Sequence, residues 1–144
     1  ALEKFMIRGD DSTTSLDLSC KGINDVDMYI ISKLFSNGAL NNLQNLNLHY
    51  NEIGDEGMKA FAEAISKGAL HNLQNLHLNG NNIGDEGMKA FAEALSKGAM
   101  EKMTVLHMTR NDASDLAQAS LDNVCNKRKI RQILETTSRC ATHL

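Results

Sequence analysis

The sequence predicts an α/β fold, a short curved solenoid with a parallel sheet along its inner side and helices along its outer side. Three observations predict it. Residues 41–70 and 71–100 align without a gap and match at 23 of 30 positions, and the run from Ile53 to Ala64 recurs letter for letter from Ile83 to Ala94. Each copy opens with apolar residues two apart and continues with apolar residues three and four apart, the periods of a strand and of a helix. Fainter copies flank the pair at the same spacing, with Leu16, Leu18, Ile23 and Asp25 upstream and Met103, Leu106, Met108 and Asn111 downstream. A unit with one apolar strand face and one apolar helix face cannot bury both alone, so such units stack. Helices are wider than strands, so the stack curves with the strands on the concave side.

The strand half of each unit reads LQNLNLHYNEI at 43–53 and LQNLHLNGNNI at 73–83. Leu46 and Leu48 point to one side and Asn45, Asn47 and His49 to the other. The helical half starts at Asp55, read as an N-cap, with Glu56 in the first turn where the helix dipole favours an acid. Gly57, Phe61, Ala64 and Ile65 form an apolar stripe, and Lys59, Glu63 and Lys67 occupy the opposite face. Gly68 is expected to end the helix in a left-handed conformation. Asp85 through Gly98 repeats these signals.

At these residues the chain resembles the leucine-rich repeat family. Leu43, Leu46, Leu48, Asn51 and Ile53, and again Leu73 to Ile83, fit its consensus, and the GDEGMKAFAEAISKGAL segment resembles the helical half of the ribonuclease-inhibitor-like class. The resemblance covers about residues 13–124. It implies a short right-handed horseshoe and a protein-binding role, since the family hosts many unrelated interactions. Asn51, Asn81 and Asn111 resemble the family's asparagine ladder: after each strand, buried backbone groups need partners, and a carboxamide both donates and accepts.

The organisation expected is one domain over 1–144, with an N-terminal unit at about 11–40, central units at 41–70 and 71–100, and a divergent C-terminal unit with a helical cap at 101–144. Leu2, Phe5 and Met6 suggest a lid over the first unit. Ile130, Ile133 and Leu134 suggest a further helix covering the last one. With both ends so closed, the chain reads as a small complete protein. Composition fits: 42% hydrophobic and 23% charged residues describe a globular chain rather than a disordered one. A net charge of −3 gives no pull toward nucleic acid or an anionic membrane. No apolar run approaches the roughly 20 residues that span a bilayer. Cys20, Cys125 and Cys140 are odd in number and lack CxxC spacing, which argues against a disulfide framework and for a reducing, cytoplasmic setting.

The surface that the sequence singles out is the outward side of the strands. Its rows read Ser15/Asn45/Asn75/Val105, Asp17/Asn47/His77/His107 and Ser19/His49/Asn79/Thr109, flanked by Tyr50 and Arg110. Amides desolvate at modest cost, and Tyr and Arg are frequent anchors of interfaces. Four of the seven differences between the central copies (41/71, 47/77, 49/79 and 50/80) fall on or beside this strand. Asn45, Asn47, His49, Tyr50, Asn75, His77, Asn79, His107, Thr109 and Arg110 are therefore the expected contacts for a partner protein. The alternative reading of these residues is a solvated polar sheet.

Other constellations point less far. His77 and His107 should stack about 5 Å apart, with His49 nearby, but no carboxylate or thiol clearly completes a metal site, and none is expected. Protonation of the stacked pair should weaken binding below about pH 6. Asp25, Asp55, Asp85 and Asp115 form a column read as helix N-caps rather than a calcium site. The basic run from Lys127 to Arg131 reads as the solvated side of the cap. No GxSxG, HExxH, P-loop or dinucleotide motif is present. The expectation is a non-enzymatic module without cofactor, monomeric when free, that acts as adaptor, inhibitor or assembly subunit. The alternatives are a regulator of a GTPase or other enzyme, as the resemblance to GTPase-activating relatives implies, and a structural subunit of a larger complex.

Overall fold

In the computed structural model, residues 10–134 and residue 140 are described. Strands and helices alternate: β1 (Ser15–Asp17), α1 (Asp25–Ser36), β2 (Asn45–Asn47), α2 (Asp55–Ser66), β3 (Asn75–His77), α3 (Asp85–Ser96), β4 (Val105–His107), α4 (Asp115–Arg128) and β5 (Arg131–Ile133). The strands lie in chain order in one sheet, and every neighbouring pair is parallel. The architecture is an α/β leucine-rich repeat solenoid. Register follows the repeat: Ser15, Asn45, Asn75 and Val105 share one row, and Asp17, Asn47, His77 and His107 share another.

The row between them faces the helices. Leu46, Leu76 and Leu106 are fully buried, as are Phe61 and Phe91, whose ring centroids lie 6.3 Å apart between stacked helices. Each central helix ends in a Schellman turn. Gly68 has φ +99°, the N–H of Ala69 donates to Ala64 and that of Gly68 to Ile65. Gly98 and Ala99 repeat the arrangement after α3.

The asparagine ladder has the structural role expected of it. Asn81 Oδ1 accepts from the Ile53 N–H, and its Nδ2 donates to the carbonyls of Leu48 and Leu78. Asn51 and Asn111 make the same bonds one unit away in each direction. A second, exposed set runs along the turns, where Asn42 donates to Asp11, Asn72 to Asn41 and Lys102 to Asn72.

The aspartate column differs from expectation. The N-caps are Asn24, Gly54, Gly84 and Ser114, and the aspartates stand one position later. Asp25 Oδ1 accepts from the N–H groups of Gly54 and Gly57 of the next unit, and Asp55 Oδ1 from those of Gly84 and Gly87. Asp85 likewise receives Ser114. Each carboxylate thus caps its neighbour's helix, where free N–H groups and the helix dipole favour an anion. A Cβ on Gly87 would lie 2.8 Å from Asp55 Oδ1 and 3.1 Å from its Cα, so glycine is what permits the approach.

The C-terminal end needs two corrections. Residues 131–133 form a fifth parallel strand on β4, not a capping helix. Lys129 takes a left-handed conformation (φ 59°) and Ile130 N–H donates to Cys125, so α4 closes as its predecessors do and the chain re-enters the sheet. Ile130 is buried as expected, but Ile133 is half-buried and Leu134 is 73% exposed. Gln132 ends the leucine row, and its amide joins Asp122 and Gln118. The second correction concerns the thiols: Cys20 and Cys140 form a disulfide, leaving Cys125 free and buried. An odd cysteine count does not forbid one bond, and the pairing removes the cysteine argument for a reducing compartment. The lid expected from Leu2, Phe5 and Met6 lies outside the described residues.

Candidate functional site

The candidate site is built by the same pairing that makes the sheet. Backbone bonds continue beyond each short strand: Leu48 donates to His77, Tyr50 to Asn79, Leu78 to His107 and Gly80 to Thr109. The two rows that flank the leucines therefore run without interruption across the units. Asn75 donates to Asn45 within the first row. The residues expected to contact a partner share this face, but they are not equally accessible. Asn45, Asn47, His49, Tyr50, Asn75, His77 and Thr109 are half-buried and Arg110 is exposed, whereas Asn79 and His107 retain 1% and 0% of their accessible surface. The last two stand in the same rows but are closed to solvent.

His77 and His107 meet edge to face, with centroids 5.8 Å apart, and His107 Nε2 lies 2.8 Å from Thr109 Oγ1. Burial holds His77 below the usual imidazole pKa, with a smaller contribution from His49. His49 is held down by burial as well, opposed by the Asp17 carboxylate. Hydrogen bonding from Ser19 holds the Asp17 carboxyl low. Both imidazoles thus stay neutral at neutral pH and offer one donor and one acceptor each. Among the described residues, no three His, Cys, Asp or Glu side chains converge to hold a metal ion.

Beside the strand rows runs a column that the sequence reading only half recognised. Cys20, Tyr50, Gly80 and Arg110 all have positive φ, at 58°, 52°, 72° and 58°. Left-handed backbone costs an L-residue about 1–2 kcal/mol, so the position suits glycine, and Gly80 against Tyr50 was the visible sign of it. The Tyr50 ring lies over Gly80, where an added Cβ would come within 2.5 Å of the ring, and it meets His49 edge to face at 5.4 Å. Leu40, Leu70 and Met100 adopt a similar conformation but sit in the core, at 7%, 0% and 2% exposure. Arg110 has no such burial to offset its strain.

The basic run does not act as a unit. The Arg128 guanidinium turns inward and donates to the carbonyls of Leu95, Ala99 and Met100, closing the end of α3. Lys127, Lys129 and Arg131 are exposed.

A leucine-rich repeat family model matches residues 39–62 and 69–92. The comparison with curated proteins gives no match. Among solved structures, an internalin from Listeria monocytogenes is similar at 21% identity with a TM-score of 0.40, over 75% of this chain and 32% of that one. The chain thus spans about a third of the internalin's length. Among the described residues no helix is long and apolar enough to cross a membrane.

Proposed function

For this leucine-rich repeat protein we propose a non-enzymatic role, the docking of a partner protein on the strand face and its adjoining column. The observation that carries this reading is the left-handed backbone at Tyr50 and Arg110. Two large side chains occupy a position suited to glycine, and Arg110 does so with no burial in return. Such strain persists where a side chain serves something other than the fold. The contact surface is then Asn45, Asn47, His49, Tyr50, Asn75, His77, Thr109 and Arg110, with amides and neutral imidazoles around a Tyr and an Arg anchor. Adaptor, inhibitor and assembly subunit are the roles that fit. Twelve-residue helices in the central units support placement in the ribonuclease-inhibitor-like class.

Affinity capture from the source cell, run in parallel with wild type, Tyr50→Ala and Arg110→Ala, tests the proposal. The expected result is a partner retained by wild type and depleted by both variants, with circular dichroism unchanged. A partner held equally by all three would move the working surface to the outer helices or to the exposed lysines of the C-terminal end.

A further inference from the structure

We propose that the groove between α1 and α2, on the helical side of the first two units, is a second binding site, and that it takes an aspartate or glutamate side chain of a partner protein. The groove lies apart from the strand rows, and the inference does not use the reading of that face.

The first support comes from the repeat itself. Tyr29, Ser32, Lys33, Ser36, Glu63 and Lys67 line the groove together with two alanines. Thirty positions later, between α2 and α3, Tyr29, Ser32 and Lys33 become Lys59, Ala62 and Glu63, while every other lining position keeps its residue type. The departures from the repeat thus fall on the α1 wall alone. They also change the charge. The first groove sets Lys33 and Lys67 against Glu63, a formal charge of +1, whereas the second sets Lys59 and Lys97 against Glu63 and Glu93 and is neutral. A monoanion balances the first groove and has no counterpart in the second.

The second support is the floor. Ser32 is 2% exposed, and among the described residues its Oγ finds no hydrogen-bond partner. A buried hydroxyl left in that way costs stability. The fold does not ask for it, because Ala62 and Ala92 fill the same helix position, equally buried, in the next two units. The hydroxyl therefore points to a group that it bonds. The groove leaves about 20 Å³ for the centres of water-sized atoms, against about 10–15 Å³ for one water on the same measure. That space suits the oxygens of a carboxylate better than the bulkier phosphate.

The third is the state of the lysines. Lys67 donates to Glu63 at 3.0 Å, and that bond chiefly holds the Glu63 carboxyl below its ordinary value, with Lys33 a lesser contributor. Lys33 makes no ion pair among the described residues; its Nζ lies 5.3 Å from the centre of the Tyr29 ring. Its ammonium keeps donors for a carboxylate, and a bond of that kind is stronger than a neutral one. The surface beside it has changed as well. Val26 and Tyr29, 68% and 54% exposed, stand where α2 carries the ion-paired Glu56 and Lys59. The site therefore fits an acidic side chain with an apolar neighbour, the tyrosine serving as a typical interface anchor.

Nuclear magnetic resonance titration of the full chain, labelled with nitrogen-15, tests this with a defined probe. The probe is the dipeptide leucyl-glutamate, acetylated and amidated so that its side chain carries the only charge. The amides of Ser32, Lys33 and Lys67 should shift and saturate, while those of Glu93 and Lys97 in the second groove stay in place. The leucyl-glutamine dipeptide should bind about tenfold or more weakly, as should leucyl-glutamate to Lys33→Gln. Ser32→Ala should weaken binding by about three- to tenfold while its thermal midpoint stays the same or rises. Absence of shifts overturns the proposal, as do equal shifts in both grooves or equal binding of the glutamine probe. Inorganic phosphate binding more tightly at the same amides overturns the choice of a carboxylate. Ser32→Ala that binds like wild type, or that melts lower, also overturns it, because the hydroxyl would then serve a water or the fold. All of these readouts lie on the helices, so the strand-face proposal stands or fails separately in the capture experiment.

Discussion

Replacing Asn81 by alanine tests how the units are held together. The Asn81 side chain is 4% exposed and makes three bonds across two units. Without it the Ile53 N–H is left with no acceptor from that side chain in a dry site, at about 1–3 kcal/mol. The carbonyls of Leu48 and Leu78 keep one donor each, because Asn51 and Asn111 also bond to them. Their loss is that of two ordinary bonds, about 1 kcal/mol each. The total is about 4 kcal/mol, a large part of the roughly 5–15 kcal/mol that holds a domain together. For a chain of this size it corresponds to a fall in Tm of about 15 °C.

Urea unfolding followed by circular dichroism gives the value directly, and an unchanged m confirms that the unfolded state is comparable. Asn72→Ala is the matched control. It removes an asparagine that also bridges units but lies where water replaces its bonds, and it should cost under about 1 kcal/mol. Asn111→Ala should fall between the two, since that side chain is half-buried. If Asn81→Ala costs under about 1 kcal/mol, or no more than Asn72→Ala, the ladder is not what satisfies the turns.

Three further outcomes follow from particular contacts. Phe61→Ala should cost about 3–5 kcal/mol, because the ring is fully buried against Phe91; a negligible thermal shift would place the ring outside the core. His49 and His77 have pKa values below the ordinary 6.5, so the unfolded chain binds their protons more readily. Their contribution to stability is present above pH 6.5 and is lost as the pH falls from there through their folded values; urea midpoints at pH 7.5 and 5.5 should differ, and the difference should shrink in the His49→Gln/His77→Gln variant. Arg128→Lys should destabilise by about 1–3 kcal/mol, since one ammonium cannot reproduce a fork that serves three carbonyls; a neutral result in thermal melts would mean that the fork is not an anchor.

The repeat was legible because its signals are local. Leu46 and Leu48 two apart, Phe61 on a helical stripe and Gly68 at a helix end each state their own conformation, and register follows once identical units stack. Bonds between units were less legible. Asp55 looks like an ordinary N-cap, and only the glycines 29 and 32 positions later hint that its carboxylate serves the next helix. The C-terminal end misled for a related reason. Ile130, Ile133 and Leu134 suit a helix by spacing, but Lys129 turns left-handed and the open edge of β4 takes the following residues as a strand. Pairing of Cys20 with Cys140 depends on where two distant ends meet, which no local pattern encodes. The rows of strand residues follow the register of the repeat, while the burial of Asn79 and His107 within those rows was not visible from residue type.

The left-handed column also offers a way to separate stability from recognition. At Arg110 (φ 58°) the side chain is exposed, so Arg110→Gly relieves a backbone strain of about 1–2 kcal/mol. Glycine returns part of this gain by loosening the unfolded chain, by about 0.5–1 kcal/mol. The net expectation is a protein more stable by about 0.5–1 kcal/mol that has lost its anchor, measured as a higher urea midpoint together with weaker capture of the partner. Tyr50→Gly should gain less or nothing, because the ring gives back contacts with Gly80 and His49. A residue retained for the fold would behave in the opposite way. If Arg110→Gly lowers the midpoint, the guanidinium supports the solenoid itself, and its strained backbone no longer speaks for a binding face.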